Sequence, residues 1–261
     1  MNPPVPGAPD SYQPRDFWNR RLSEQFDLRG TGETGLSLAY NRACYQLRRE
    51  VLAHTLRAQG FDPSGRTVLD VGCGTGFFTR WYLERGANVT GVDIAPTSIE
   101  RLRERHPQAR FVLSDVSEVA LDARYDLVNA FDVLYHIVDD ARWERALVNL
   151  ANATAPGGLL LVTDVFPAHE RAASEAAHNR MRPLARYEQV LRARGLERVA
   201  LAPTHFLLNR ELGAFRPLNR LPGVLLVLDR MLLAAGAGHD EHTNKLLVMR
   251  RTRAGAPPAR E

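Results

Sequence analysis

From residue 67 onward the chain alternates short apolar runs with amphipathic stretches. The runs are TVLDV (67–71), NVTGVD (88–93), RFVLSD (110–115), YDLVNAF (125–131) and GLLLVTD (158–164), largely continuous in their apolar character. Strands of that kind are buried on both faces, as a parallel sheet covered by helices requires. Helical spacing fills the intervals near 76–86, 96–106 and 139–154, with a weak pattern at 117–121. Gly86 closes the first of these helices, and Pro156-Gly157-Gly158 follows the last. A helix near 183–194, a strand near 197–203 and a final strand KLLVMRR (245–251) complete the series. The expected fold is α/β: a doubly wound, mostly parallel, seven-stranded sheet.

The first sixty residues read differently. DFWNRRLSEQF spaces Phe17, Leu22 and Phe26 at roughly helical intervals, and YNRACYQLRREVLAHTLRAQG repeats Tyr40, Cys44, Leu47, Val51, Leu52 and Leu56 before Gly60. The three glycines of LRGTGETGLS keep either helix from running through. Between the last two strands lies a long insert whose apolar stretch, 221–235, is broken by Asp229 and Arg230 and is too short for a bilayer. It is read as a packing helix, with a lid or a dimer surface as the sharper alternatives. Pro- and Ala-rich ends without apolar period are expected to be flexible tails. The expected organisation is therefore tail 1–14, helical cap 15–60, α/β core 61–204, helical insert or lid 205–242, last core strand 243–252 and tail 253–261.

Composition narrows the partners. The net charge is +4, yet its basic residues are nearly all arginines spread among comparable numbers of acids, with Lys245 the lone lysine. A nucleic-acid footprint would be clustered on one face, so none is expected. No run of 18 apolar residues and no basic-then-apolar leader is present in the sequence, so neither a membrane span nor export is expected. Two cysteines give no disulfide framework and suit a cytoplasmic setting. A homodimer is left open.

The chemistry gathers around LDVGCGTGFF (69–78). A P-loop would follow its last glycine with Lys-Ser/Thr, where this chain has Phe77-Phe78. A dinucleotide fingerprint would read G-x-G-x-x-G, whereas Gly72, Gly74 and Gly76 give G-x-G-x-G. Asp70, two residues ahead of the loop, suits a cationic ligand better than a pyrophosphate. Here the chain resembles the class I S-adenosylmethionine-dependent methyltransferases. The segments that carry the resemblance are VLDVGCGTG (68–76), VTGVDIAP (89–96), FVLSDVSE (111–118), YDLVNAFDVLYHIVDD (125–140) and TAPGGLLLVTD (154–164), in the family's order over about a hundred residues.

The resemblance implies S-adenosylmethionine as methyl donor, with no metal. Asp70 would face the methionine ammonium, the three glycines would admit the ligand close to the backbone, and Asp93 would accept from the ribose hydroxyls. Ile94 would pack on the adenine, Asp115 and the Val116 amide would meet its polar edge, and Phe131 would lie near the methionine part. Cys73 and Phe77 complete the expected donor site. No base or charge that would activate Cys73 is evident, so it is read as a small residue that fits and not as a nucleophile.

Methyl transfer from a sulfonium needs alignment and, for some acceptors, removal of a proton. The catalytic candidates are His136 after the fourth strand, Asp164 at the end of the fifth, and His178. The substrate-binding candidates are Trp18, Tyr40, Tyr45, Tyr135 and Arg182, with the last read either as part of a solvated basic face or as turned into the cleft. The expected function is methylation of a small molecule, oxygen being preferred over carbon or nitrogen, in bacterial specialised metabolism. Two alternatives stand beside it: a protein of this fold that binds S-adenosylmethionine without methylating, and a nicotinamide-dependent oxidoreductase.

Overall fold

A computed structural model describes residues 12–118, 123–169, 178–208 and 213–253. Three helices open the chain: α1 (Pro14–Glu24), α2 (Leu28–Thr31) and α3 (Leu38–Ala58). The alternating part follows as β1 (Thr67–Val71), α4 (Phe77–Leu83), β2 (Asn88–Asp93), α5 (Pro96–Arg105), β3 (Arg110–Leu113) and β4 (Tyr125–Phe131). After β4 a single 3-10 turn, Leu134–His136, leads to α6 (Asp140–Ala153), β5 (Thr154–Val165), α7 (Leu184–Arg192) and β6 (Leu196–Pro203). A 3-10 stretch, Gly213–Arg220, then α8 (Pro222–Ala234) and β7 (Asn244–Arg251) close the fold.

The strands form one sheet in the order β3-β2-β1-β4-β5-β7-β6, with β7 antiparallel to both neighbours. Alternation along each strand feeds two cores. Val68, Leu127, Leu159 and Leu161 pack with Leu52, Leu56 and Trp81 on one face. Leu69, Val128, Leu160 and Val162 pack with Trp143, Leu147 and Leu150 on the other. Both faces are thus covered, which is why the runs read as continuously apolar. The strand order reverses between β1 and β4, and the carboxyl ends of those strands form the crevice where such sheets place their ligands.

Side-chain caps start several helices where the sequence turns polar: Ser37 Oγ accepts from the Tyr40 amide, and Asp139 Oδ1 from that of Arg142. The opening helices and α8 form one cap. Tyr40, Ala43, Cys44 and Leu47 of α3 pack against Leu225 and Leu226 of α8. Asp229 of α8 accepts from the amides of Phe206, Leu207 and Leu208, fastening the chain that leaves β6.

Some boundaries differ from the sequence expectation. The strand at 158–164 begins at Thr154, because Gly157 takes a left-handed φ of +78° and lets the chain join β4 through an irregular register. β3 stops at Leu113, so Asp115 lies beyond the strand. Of the stretch expected as tail 1–14, residues 1–11 lie outside the described residues, while Tyr12 packs on Phe17 and α1 begins at Pro14. The weak helix expected at 117–121 falls partly outside the described residues, as does most of the tail 253–261. Among the described residues no helix is long and apolar enough to cross a membrane.

Asp229→Ala would strand the three amides it holds and is expected to cost about 3 kcal/mol of unfolding free energy. Urea unfolding measures this, and a loss well under about 1 kcal/mol would mean that α8 is not fastened there.

Candidate active site

A cavity of about 310 Å³ opens at the carboxyl ends of β1, β2 and β4, roofed by Trp18, Leu22, Thr31 and Tyr45 from the cap. Asp70, Gly72, Cys73, Gly74 and Phe77 line it from the glycine loop, Asp93 and Ile94 from the end of β2. Asp115, Val116, Phe131 and His136 complete the expected residues that reach it.

The loop keeps its amides for itself. Gly72 and Cys73 donate to the Val92 carbonyl, Gly76 to that of Cys73, and Gly74 to Asp93 Oδ2 at 2.7 Å. Four donors that a phosphate would need are therefore spent on the protein. The glycines answer to packing as well as to ligand approach. Gly72 has φ +69°, and a Cβ there would lie 2.3 Å from Val133 Cγ2; Gly74 has φ +51°, and its Cβ would meet Thr31 Cγ2 at 2.7 Å. Gly76 initiates α4 in the left-handed region and does not line the cavity.

Charge in the wall is one-sided. Asp70, Asp93, Asp115, Asp132 and Asp139 line the cavity against one guanidinium, Arg142. Arg142 Nη2 lies 2.5 Å from Asp115 Oδ2, while Asp115 Oδ1 accepts from the Ser117 amide and hydroxyl. Of about four lone-pair positions on that carboxylate, one remains. Asp132 is paired with Arg48 of α3. Asp70 has only neutral donors, Thr79 Oγ1 at 2.5 Å and Asn129 Nδ2 at 2.7 Å. Asp93 likewise has only neutral donors, chiefly the amides of Gly74 and Ala95, with the Ser98 hydroxyl and the Ile94 amide beside them. Burial raises the Asp70 pKa to about 6 and pushes that of Asp93 up as well. Two buried carboxylates without a cation among the described residues make a site for a cationic ligand. Cys73 is buried, and burial pushes its thiol well above the ordinary range, so it has no thiolate to offer.

His136 lines the same cavity. Its Nδ1 lies 3.2 Å from the carbonyl oxygen of His178, which can only accept, so Nδ1 carries the proton and Nε2 the lone pair. Burial lowers its pKa to about 4. The carbonyl is presented by a strap: Arg180 N donates to the Tyr135 carbonyl at 2.7 Å, and Arg182 Nη2 to that of Ile137 at 3.0 Å.

Several expected residues stand elsewhere. Asp164 is fully buried and receives the Tyr187 hydroxyl and the Val165 amide, with burial raising its pKa to about 8; it turns into the α6–α7 core and not towards an acceptor. Arg182 is neither in the cleft nor solvated: it lies over Trp143 at 4.7 Å and pairs with Asp140. His178 stacks on His136 at 5.5 Å behind the wall. Tyr40 is buried between α3 and α8, and Tyr135 lies beside His136 without lining the cavity. Tyr45 does line it, but its hydroxyl is spent on Thr31.

Three further cavity residues, Asp132, Arg142 and Tyr12, are not among the expected ones. Asp132 adopts φ 57°, the one non-glycine residue with positive φ among those described, and is held by Thr163, Asn244 and Arg48. Its place after an apolar strand was the available signal, since aspartate tolerates this conformation. Arg142 and Tyr12 carried no such mark. Among the described residues no group of three or more His, Cys, Asp or Glu is placed to hold a metal ion.

The comparisons with known proteins agree with this geometry. The methyltransferase domain family matches residues 44–201. Malonyl-[acyl-carrier protein] O-methyltransferase of Serratia marcescens is 36% identical over 120 residues, 46% of either protein. Ubiquinone biosynthesis O-methyltransferase of Methylobacterium sp. (strain 4-46) is 36% identical over 121 residues, 42% of this chain and 47% of that protein. The match spans about half the length of these curated relatives. Magnesium protoporphyrin IX methyltransferase from Synechocystis PCC 6803, solved with S-adenosylmethionine bound, superposes with a TM-score of 0.60 at 18% identity, covering 91% of this chain and 95% of that one. That superposition shows a shared fold. The family match over more than half of its residues shows that this chain belongs to the methyltransferase domain family.

Proposed function

We propose that the protein is an S-adenosylmethionine-dependent methyltransferase that methylates a small-molecule acceptor, preferably at oxygen, in a cytoplasmic setting. The observation that carries the reading is the pair of buried carboxylates, Asp70 and Asp93, facing one cavity without a cation. The O-methyltransferase names of the two curated relatives support the reaction class. The free, buried Cys44 and Cys73 support the setting.

The chain's own groups divide the work. Asp70 supplies the charge for the donor's ammonium. Asp93 has lone pairs left for two ribose hydroxyls, since each carboxylate oxygen carries one close backbone amide. Ile94 and Val116 offer apolar surface for the adenine, and the last lone pair of Asp115 suits its amino group. Phe131 packs edge-on against Phe78, 4.7 Å between ring centroids, and borders the methionine end. When bound, the donor supplies a methyl on a cationic sulfur that becomes a neutral thioether once the methyl has left.

His136 Nε2 is the available base. At a pKa of about 4 it is neutral at physiological pH and too weak to take a proton from a free ammonium. It accepts the proton only as the acceptor loses it in the transition state, which suits a phenolic or enolic hydroxyl.

Asp93→Ala is expected to weaken S-adenosylhomocysteine binding by an order of magnitude or more, read by calorimetry; unchanged affinity would remove the ribose assignment. His136→Ala is expected to lower turnover by about a hundredfold with donor affinity nearly intact. In the wild type, the base remains active from neutral pH down and is lost only as pH falls through about 4. S-adenosylhomocysteine release in the presence of an acceptor measures both, and full activity in the variant would return His136 to a packing role.

A further inference from the structure

Part of the cavity is left over once the donor-binding residues are set aside. Tyr12, Trp18, His136, Ile137 and Val138 bound it. Trp18 sets its ring edge-on to His136, 4.8 Å between centroids and 70° between planes, and Phe17 in turn backs Trp18 at 5.2 Å. The ring surfaces are thereby fixed by packing before any ligand arrives.

Among the described residues this wall has no positive charge to spare for an anion. Arg142, the one guanidinium of the cavity lining, is committed to Asp115. Arg21 lies over Trp18 at 5.2 Å and turns its Nη2 to the carbonyls of Gly32 and Arg29, outside the lining. Burial keeps both His136 and His178 below the ordinary histidine pKa, so neither supplies a cation at neutral pH. The carboxylates nearby repel an anion further.

One donor is unmet. The hydroxyl of Tyr12 is enclosed, and the Trp18 indole N–H beside it can only donate, so among the described residues the Tyr12 proton has no acceptor. A buried donor left unmet costs more than an ordinary hydrogen bond returns, and cavity walls keep such groups where a ligand completes them.

We propose that this part of the cavity is the acceptor subsite, and that it takes a neutral, planar aromatic ring carrying an oxygen or nitrogen that accepts the Tyr12 hydroxyl proton. The proposal rests on the methyltransferase reading and names its substrate class. The ring lies against Trp18, and its phenolic hydroxyl meets Nε2 of His136. Tyr12 receives the group at the far side, and so fixes which hydroxyl of a multiply substituted ring faces the methyl.

The test uses the full chain saturated with S-adenosylhomocysteine. Calorimetry compares para-hydroxyacetophenone with para-hydroxybenzoate and with the ring-saturated analogue of the ketone. The aromatic ketone is expected to bind at least about fivefold tighter than either of the others. Tyr12→Phe is expected to cost the ketone about fivefold to tenfold while leaving S-adenosylhomocysteine affinity within about twofold. Equal or tighter binding of the benzoate or the saturated ring, or no binding of the ketone, would overturn the subsite. A loss of S-adenosylhomocysteine affinity in Tyr12→Phe would assign the hydroxyl to the donor and also overturn it. Failure of the wild type to bind S-adenosylhomocysteine at all would instead overturn the methyltransferase reading, on which the subsite depends.

Discussion

Asp70 sits where the strand order of the sheet reverses, 3% exposed and hydrogen-bonded only to a hydroxyl and an amide. A carboxylate so placed is costly, and its pKa, raised to about 6, expresses that cost. The rest of the site is arranged around leaving it so. The register pairs Asp70 with Asn129 across β1 and β4, which supplies one neutral donor and no cation. The glycine loop that follows turns its amides inward onto Val92 and Asp93, so no phosphate cradle competes for the space. A ligand with a positive charge and no phosphate is what such a wall stabilises.

The cap is tied to this site by charge. Arg48 of α3 reaches Asp132 at the end of β4, with both side chains largely buried. Asp132 holds a positive φ that costs of order 1 kcal/mol or more, and Thr163 and Asn244 on the neighbouring strands help to enforce it. α3 also sends Tyr45 to the roof of the cavity and packs its other face on α8. Within the cap, α8 of the insert before the last strand packs directly on α3, the helix that carries Tyr45 and Arg48.

Much of this was legible in the sequence. The central strands β1, β4 and β5 stand out as apolar runs because they are buried on both faces, and the acids Asp70 and Asp93 stand out because they lie in or end such runs beside a glycine loop. What failed was anything that depends on a partner far along the chain. Asp164 looked like an acid at a strand end, but Tyr187 claims it from α7. Arg182 looked like part of a basic face, but Asp140 of α6 and the carbonyls after His136 claim it. Tyr12 fell within an apparent tail because proline and alanine hide apolar period, and only the packing of α1 brings it to the cavity.

A buried Asp70 with no cation among the described residues selects a cationic, phosphate-free nucleoside. The direct measurement is calorimetric titration of the wild-type chain with S-adenosylhomocysteine and with NAD across the Asp70 titration. S-adenosylhomocysteine is expected to bind at neutral pH and NAD not to, with affinity falling as pH drops through about 6 and Asp70 takes up its proton. NAD binding without S-adenosylhomocysteine binding, or an affinity for S-adenosylhomocysteine indifferent to pH over that range, would contradict it.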